Sequence, residues 1–322
     1  MSPIEIISII FVSALLLSAL IIFLGGYITY RMAFYNNPKK NPPNPYRHVK
    51  DDGSESSKLS KSLIDNIISL PGENIYVTSH DGLKLRARLY FKDKNAPFAL
   101  QFHGYKSTPM LDFSGGGPLA MELGFNVIMP DQRACGESEG NTISFGYNEH
   151  KDVYTWIDYI KKNFGEDAKI ILFGVSLGAG TVIMSAGRGV PKNVKGVLAD
   201  CPFSSAKEIV TKVIYDMKLP GKLLYPLVRI GAKIYGGFDP DMASPFLDAK
   251  ATEVPILIVH GEADFFVPME MSKKIAKSSE MISLHTFPEA KHGTSFITDR
   301  ERYTKLAKEF IGECLKEEKI IN

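Results

Sequence analysis

The chain has 322 residues, 44% apolar and 23% charged, which suits one large α/β domain with extras and excludes a disordered polymer. A formal charge of +2 supplies no basic field for nucleic acid. Three scattered cysteines, Cys135, Cys201 and Cys314, make neither a disulfide framework nor a thiolate metal site, and no metal or other cofactor is expected.

No charge interrupts Ile6 to Tyr30, a run rich in Ile, Leu, Phe and Val and longer than the roughly 20 residues a bilayer crossing needs. Residues 1–30 therefore read as a single transmembrane anchor. A cleaved signal peptide is the alternative. Against it, no basic stretch precedes the run, its apolar core is long, and no Ala-x-Ala site follows. Arg31, Lys39, Lys40, Arg47 and Lys50 flank the C-terminal side, so the positive-inside tendency puts the rest of the chain in the cytoplasm. Residues 31–73 form a linker. Asn36 to Ser62, with Asn41-Pro-Pro-Asn-Pro45, has the composition of an extended, semi-rigid stalk. Leu59, Leu63, Ile67 and Leu70 then repeat at helical spacing and predict a short amphipathic helix, stopped by Pro71-Gly72 and packed on the globular part.

From Asn74 strands and helices alternate. A hairpin around His80-Asp81-Gly82 comes first, then strands at Phe98–Phe102, Asn126–Met129, Ile170–Phe173, Val194–Ala199, Ile256–Val259 and Ile282–Phe287, with helices between and a closing helix at Arg300–Lys316. This pattern predicts an α/β fold: a mostly parallel sheet with helices on both faces, built from residues 74–202 and 248–322. Residues 203–247 are too long for an ordinary loop and carry Ile, Leu and Val at helical spacing, which predicts a helical cap over an apolar pocket.

The chemistry centres on Gly174-Val-Ser176-Leu-Gly178. A strand runs into it and an apolar helix leaves it, the setting in which a sharp turn lifts a serine Oγ above the sheet. Small residues two before and two after are required because strand and helix approach too closely for a Cβ. Ser176 is the candidate nucleophile, and a serine needs a base that is itself oriented. In this topology the acid and then the histidine follow the serine. Of seven histidines, His260 precedes the best acid and His285 lies within the last strand, which leaves His292 on the loop after it. Asp264, on the loop after the preceding strand, is the candidate acid, and Asp200 is its rival one strand earlier. The amides of Leu177, at the helix start, and Tyr105, after the strand beside the nucleophile, are the candidate oxyanion donors. His103 is read as bracing the Tyr105 loop.

Two other readings compete. Gly174, Gly178 and Gly180 with Asp200 about twenty residues on mimic a dinucleotide fingerprint. That fingerprint usually opens its fold, and here several strands come before it. A non-catalytic protein of the same fold is the second. No His-Glu-x-x-His, phosphate-binding Gly-Lys loop or Cys-x-x-Cys occurs.

His103-Gly-Tyr105, Asp131-Gln-Arg-Ala-Cys-Gly-Glu-Ser-Glu-Gly140, Gly174-Val-Ser-Leu-Gly178, Asp200-Cys-Pro-Phe203, Gly261-Glu-Ala-Asp264 with Val267-Pro268, and His292-Gly293 together resemble the α/β-hydrolase superfamily. The likeness is greatest to membrane-anchored bacterial members with a hydrolase-4 or serine aminopeptidase S33-type domain, similar to the BEM46-like group, and covers about Asn74 to Leu315. Cys135 stands where such proteins often carry histidine. The resemblance implies cofactor-free hydrolysis of esters or related acyl compounds through an acyl-serine intermediate. Together with the apolar cap and the anchor, this points to a small ester or lipid-like substrate with an apolar part, while a peptidase or amidase on the same triad stays open.

Overall fold

A computed structural model describes residues 2–40, 42–47, 49 and 52–316. Asn41 of the proline-rich segment, Lys50 of the basic flank, Met1, His48, Asp51 and residues 317–322 of the core range lie outside the described residues. Eight strands form one sheet: β1 (Glu73–Thr78), β2 (Lys84–Tyr90), β3 (Phe98–Phe102), β4 (Asn126–Pro130), β5 (Ile170–Val175), β6 (Val194–Asp200), β7 (Ile256–Gly261) and β8 (Ile282–Phe287). Their spatial order is β1-β2-β4-β3-β5-β6-β7-β8. β2 runs antiparallel to β1 and β4, and the remaining pairings are parallel. The mostly parallel sheet after an initial hairpin is as the sequence predicts. β3, β4 and β7 are buried along their whole length, which is why they read as continuous apolar runs rather than alternating ones.

The helices are α1 (Pro3–Ala33), α2 (Glu55–Ser69), α3 (Pro109–Asp112), α4 (Gly116–Glu122), α5 (Glu149–Phe164), α6 (Leu177–Gly187), α7 (Ala206–Asp216), α8 (Gly221–Gly236), α9 (Pro245–Ala249), α10 (Met269–Ala276), α11 (Ser295–Thr298) and α12 (Arg300–Leu315). On one face of the sheet Val153, Trp156 and Ile157 of α5 and Val182 and Ile183 of α6 meet Ile170 and Leu172 of β5. On the other, Ile67 of α2, Ala120 of α4 and Ile311 of α12 meet Ile171 and Phe173. The alternation along β5 follows from the two-residue period of a strand. Each such Ile or Leu contributes about 1.5–3 kcal/mol by leaving water. The amphipathic helix expected before Pro71 is α2: Ser54 caps it, accepting from Ser57 N–H, and Ile64 and Ile67 are buried.

A third apolar core lies beyond the C-terminal ends of the strands. It joins Tyr30 and Phe34 from the end of α1 to Ile209 and Ile214 of α7, Tyr225 and Val228 of α8, and Leu177 at the start of α6. α1 is the one described helix long and apolar enough to cross a membrane. The segment after it differs from the extended spacer its composition suggests. Phe34 O accepts from Ile143 N–H at 2.8 Å, Asn36 N–H donates to Asn141 O at 2.9 Å, and Asn36 Nδ2 donates to Ala134 O at 2.7 Å. Asparagine and proline composition reports backbone that lacks its own helix or strand; here the loop at 134–143 supplies the missing partners. The following Pro42, Pro43 and Asn44 line one small cleft together with Lys106, Ser107 and Leu111. α1 therefore runs into the core directly.

Candidate active site

β5 delivers Ser176 to the start of α6 through a backbone turn with φ 53° and ψ −109° at the serine. This conformation is uncommon for any residue with a Cβ and costs of order 1–3 kcal/mol unless its surroundings impose it. They do. Ser176 N–H donates to Asp200 O at 2.8 Å, so β6 pins the turn from one side. A Cβ on Gly178 would lie 1.8 Å from Phe102 O, and one on Gly174 would lie 2.3 Å from Gly178 O. Gly180 faces the Phe203 ring, 2.8 Å from a would-be Cβ. The glycines that imitate a dinucleotide fingerprint are thus each taken up by contacts within the protein.

His292, on the loop after β8, reaches both of its expected neighbours. Its Nε2 is 2.9 Å from Ser176 Oγ, and its Nδ1 is 2.7 Å from Asp264 Oδ2. A carboxylate can only accept, so Nδ1 carries the hydrogen and Nε2 presents its lone pair to the serine hydroxyl. Asp264 lies on the loop after β7. Its Oδ1 accepts from the Phe266 and Val267 amides at 2.9 and 2.8 Å, and His260 Nε2 lies 3.3 Å from Oδ2. Burial pushes this carboxyl up, but the hydrogen bonds from His260 and His292 and the Val267 amide outweigh it and hold Asp264 well below the ordinary range.

Asp200 does not reach the imidazole by a hydrogen bond. Its Oδ1 is buried with no partner, and burial pushes its carboxyl up to about 6. It contributes its backbone carbonyl to the serine turn. Of the two acids open on sequence grounds, Asp264 is the one facing His292.

The loop after β3 comes within van der Waals reach of the serine: a Cβ on Gly104 would lie 3.4 Å from Ser176 Cβ. Gly104 N–H donates to Asp112 Oδ2 at 2.5 Å, and Lys106 takes φ 52°. Neither the Tyr105 nor the Leu177 N–H donates to a protein acceptor among the described residues. His103 is fully buried; its Nε2 accepts from Gln132 N–H at 3.0 Å while Nδ1 donates to Gly104 O at 2.8 Å. Both nitrogens are engaged in holding the loop, the bracing role read from the sequence. The Asp131–Gly140 loop, which carries Cys135, is also tied internally, with Asp131 accepting from Glu137 N–H at 3.0 Å and Arg86 at 3.1 Å.

Three residues make contacts that escape sequence reasoning. Asp112 clamps Gly104 and Ser107 from eight and five residues away. His260, set aside as a base, donates to Val267 O at 2.9 Å and accepts from Ser272 Oγ at 2.7 Å, fixing the loop that carries Asp264. Tyr105 Oη donates to Ala33 O at 2.9 Å, linking the loop after β3 to the end of α1. Only the His260-Gly-Glu-Ala-Asp264 spacing hinted at any of them.

Cys201 Sγ, an Asp264 oxygen and a His292 nitrogen lie within 4.8 Å of one another. They suit a metal poorly. Burial pushes the Cys201 thiol well up, away from the thiolate a metal needs, and the Asp264 and His292 atoms are already hydrogen-bonded to each other.

Residues 103–225 match the family described as the α/β hydrolase fold, and residues 223–313 match the dienelactone hydrolase family. The chain is 28% identical to the uncharacterized protein YqkD of Bacillus subtilis (strain 168) over 195 residues, 60% of this chain and 64% of YqkD, so the match spans less than two thirds of that relative. It is 27% identical over 263 residues to the bifunctional esterase/perhydrolase DCH of Acinetobacter calcoaceticus, covering 66% of this chain and 92% of that one. Among solved structures, the Pyrococcus furiosus esterase Pf2001 superposes with a TM-score of 0.63 at 21% identity, over 87% of this chain and 98% of its own, a likeness of fold. With two adjoining family matches running from residue 103 to 313 and this strand order, the chain has the α/β-hydrolase fold.

Proposed function

We propose that the chain is a serine hydrolase of carboxylic esters with an apolar acyl or alcohol part. The observation that carries this reading is the hydrogen-bonded line from Ser176 through His292 to Asp264, begun by a serine held at φ 53°. Ser176 Oγ attacks the acyl carbon as His292 Nε2 takes its proton, and Asp264 keeps the ring in the accepting tautomer and stabilises the imidazolium. The Tyr105 and Leu177 amides receive the oxyanion, the second at the positive end of α6; one such donor is worth about 10²–10³ in kcat. The alcohol leaves with the proton from His292. Water then attacks the acyl-serine through the same base, releasing the acid and restoring the serine.

Residues 203–247 act as a cap in this reading, and their Ile209, Ile214 and Val228 pack in one apolar core with Leu177, the neighbour of Ser176, which supports a preference for apolar substrates. α1 anchors the protein in a membrane, and the basic residues after it favour a cytoplasmic catalytic domain. The likeness to membrane-anchored BEM46-like hydrolases points the same way.

A fluorophosphonate probe tests the nucleophile: wild type labels, and folded Ser176→Ala does not. Equal labelling of both, or none of folded wild type, refutes the assignment. Rates on p-nitrophenyl esters of rising chain length test the apolar pocket, and a preference for amides overturns the ester reading. Protease protection in membrane vesicles reports the side.

A further inference from the structure

α8 is apolar on two opposite sides. Tyr225, Val228 and Ala232 face the core, as a packed amphipathic helix requires. Leu223, Leu227, Ile230 and Ile234 are spaced by four, three and four residues, which puts them on one stripe on the other side, where a helix covering a water-soluble domain carries polar residues. α1 crosses the middle of this stripe and leaves its ends bare. The crossing is a close one: a Cβ on Gly231 would lie 2.1 Å from Gly26 O, and one on Gly25 would lie 2.8 Å from Leu227 Cδ2. Tyr235 Oη adds a bond to Phe23 O at 3.0 Å. On either side of the crossing Leu223 is 75% exposed and Ile234 48% exposed.

We propose that α8 lies in the surface of the lipid bilayer, its outward stripe against the acyl chains, as a second membrane contact beside α1. This rests on the reading of α1 as a membrane span. The position of the crossing argues for a bilayer as the occupant. α1 meets α8 at Gly25 and Gly26, at the end of its uncharged run and just before its first basic residue, Arg31. That is the depth at which a spanning helix passes from hydrocarbon to headgroups. The part of α8 at the crossing sits at that depth, and α8 is about 24 Å long at 1.5 Å per residue. Of its cations, Arg229 and Lys233 pair with Asp239 and Asp241 just beyond the helix, while Lys222 is exposed in its first turn, where it suits an anionic leaflet. The α7–α8 turn continues the surface with exposed Met217 and Leu219 around Lys218. Lys212 of α7 hydrogen-bonds Phe265 O, on the loop that carries Asp264, and Phe266 packs edge-on to the His292 ring with centroids 5.0 Å apart. The bilayer surface and the margin of the candidate site are thus joined through one hairpin.

The test uses the full chain with Cys314→Ser, since Cys135 and Cys201 are buried, reconstituted in vesicles of phosphatidylcholine and phosphatidylglycerol. An environment-sensitive fluorophore is attached to Leu223→Cys, to Leu16→Cys within α1, and to Lys192→Cys before β6, in separate proteins. Lipids spin-labelled near the headgroup or deep in the acyl chain serve as quenchers. The expected result is a blue shift and strong loss of Leu223 emission with the shallow quencher, loss at Leu16 with the deep one, and no loss at Lys192. Quenching at Leu16 with Leu223 behaving like Lys192 overturns the interfacial position of α8 and leaves the span intact. No quenching at Leu16 or Leu223 overturns both.

Discussion

Replacing Asp264 by asparagine alters one atom that matters. Oδ1 still accepts the Phe266 and Val267 amides at 2.9 and 2.8 Å, so the loop after β7 keeps its shape. Oδ2 becomes an NH₂ facing His292 Nδ1–H across 2.7 Å, a donor against a donor. The ring escapes by moving its hydrogen to Nε2, which then points a hydrogen at Ser176 Oγ across 2.9 Å and cannot take the serine's proton. Loss of the accepting tautomer costs about 10⁴-fold in kcat in a serine triad, or about 5.4 kcal/mol at 1.36 kcal/mol per decade. KM, which reflects pocket contacts the change does not touch, stays within a few-fold of wild type. Hydrolysis of p-nitrophenyl butyrate by Asp264→Asn and Asp200→Asn, with thermal melts to verify folding, measures this. Near wild-type kcat in Asp264→Asn together with collapse in Asp200→Asn would refute the reasoning and transfer the acid to Asp200.

Asp200 makes a separate prediction about stability. Burial raises its carboxyl to about 6 in the folded protein, so between pH 4 and 6 the folded state holds a proton the unfolded state has lost, and stability falls as pH rises through that window. The shift amounts to about 3 kcal/mol, and the melting temperature of Asp200→Asn relative to wild type should rise from pH 4 to pH 7; a difference that does not vary with pH refutes it. Gly178→Ala puts a methyl 1.8 Å from a backbone oxygen of β3 that cannot move aside, and a destabilisation at or above the usual 1–3 kcal/mol of overpacking is expected from the denaturant midpoint. An unchanged midpoint would sink the steric account of the elbow. Tyr105→Phe removes the 2.9 Å bond to Ala33 O, worth about 0.5–1.5 kcal/mol, and loosens the loop bearing the proposed oxyanion donor. A several-fold fall in kcat with KM nearly constant is expected on a short soluble ester; equal rates would mean that α1 does not steady this loop.

What the sequence by itself determined is local or ordered along the chain. Gly174 and Gly178 flank Ser176 because the turn leaves no room for a Cβ, and the clash sits among residues close in sequence or on the adjacent strand. The β-strand runs, the initial hairpin and the order in which the proposed serine, acid and histidine follow one another are equally legible, since two-residue periodicity and chain order are properties of a string. The tertiary structure decided the rest. Asp200 and Asp264 both end or follow a strand beside the site, and only the placement of the loop after β7 sets one of them 2.7 Å from His292. The same folding turned His260 into a brace for that loop and brought Asp112 under Gly104. The largest departure is α1. Composition separates an apolar run from a proline-rich linker, but it carries no mark that Thr29 will lie beside Leu227, 198 residues away, or that Gly26 and Gly231 will meet. Contacts of that separation depend on complementary surfaces presented by two elements, and neither surface repeats with a period that a single sequence displays.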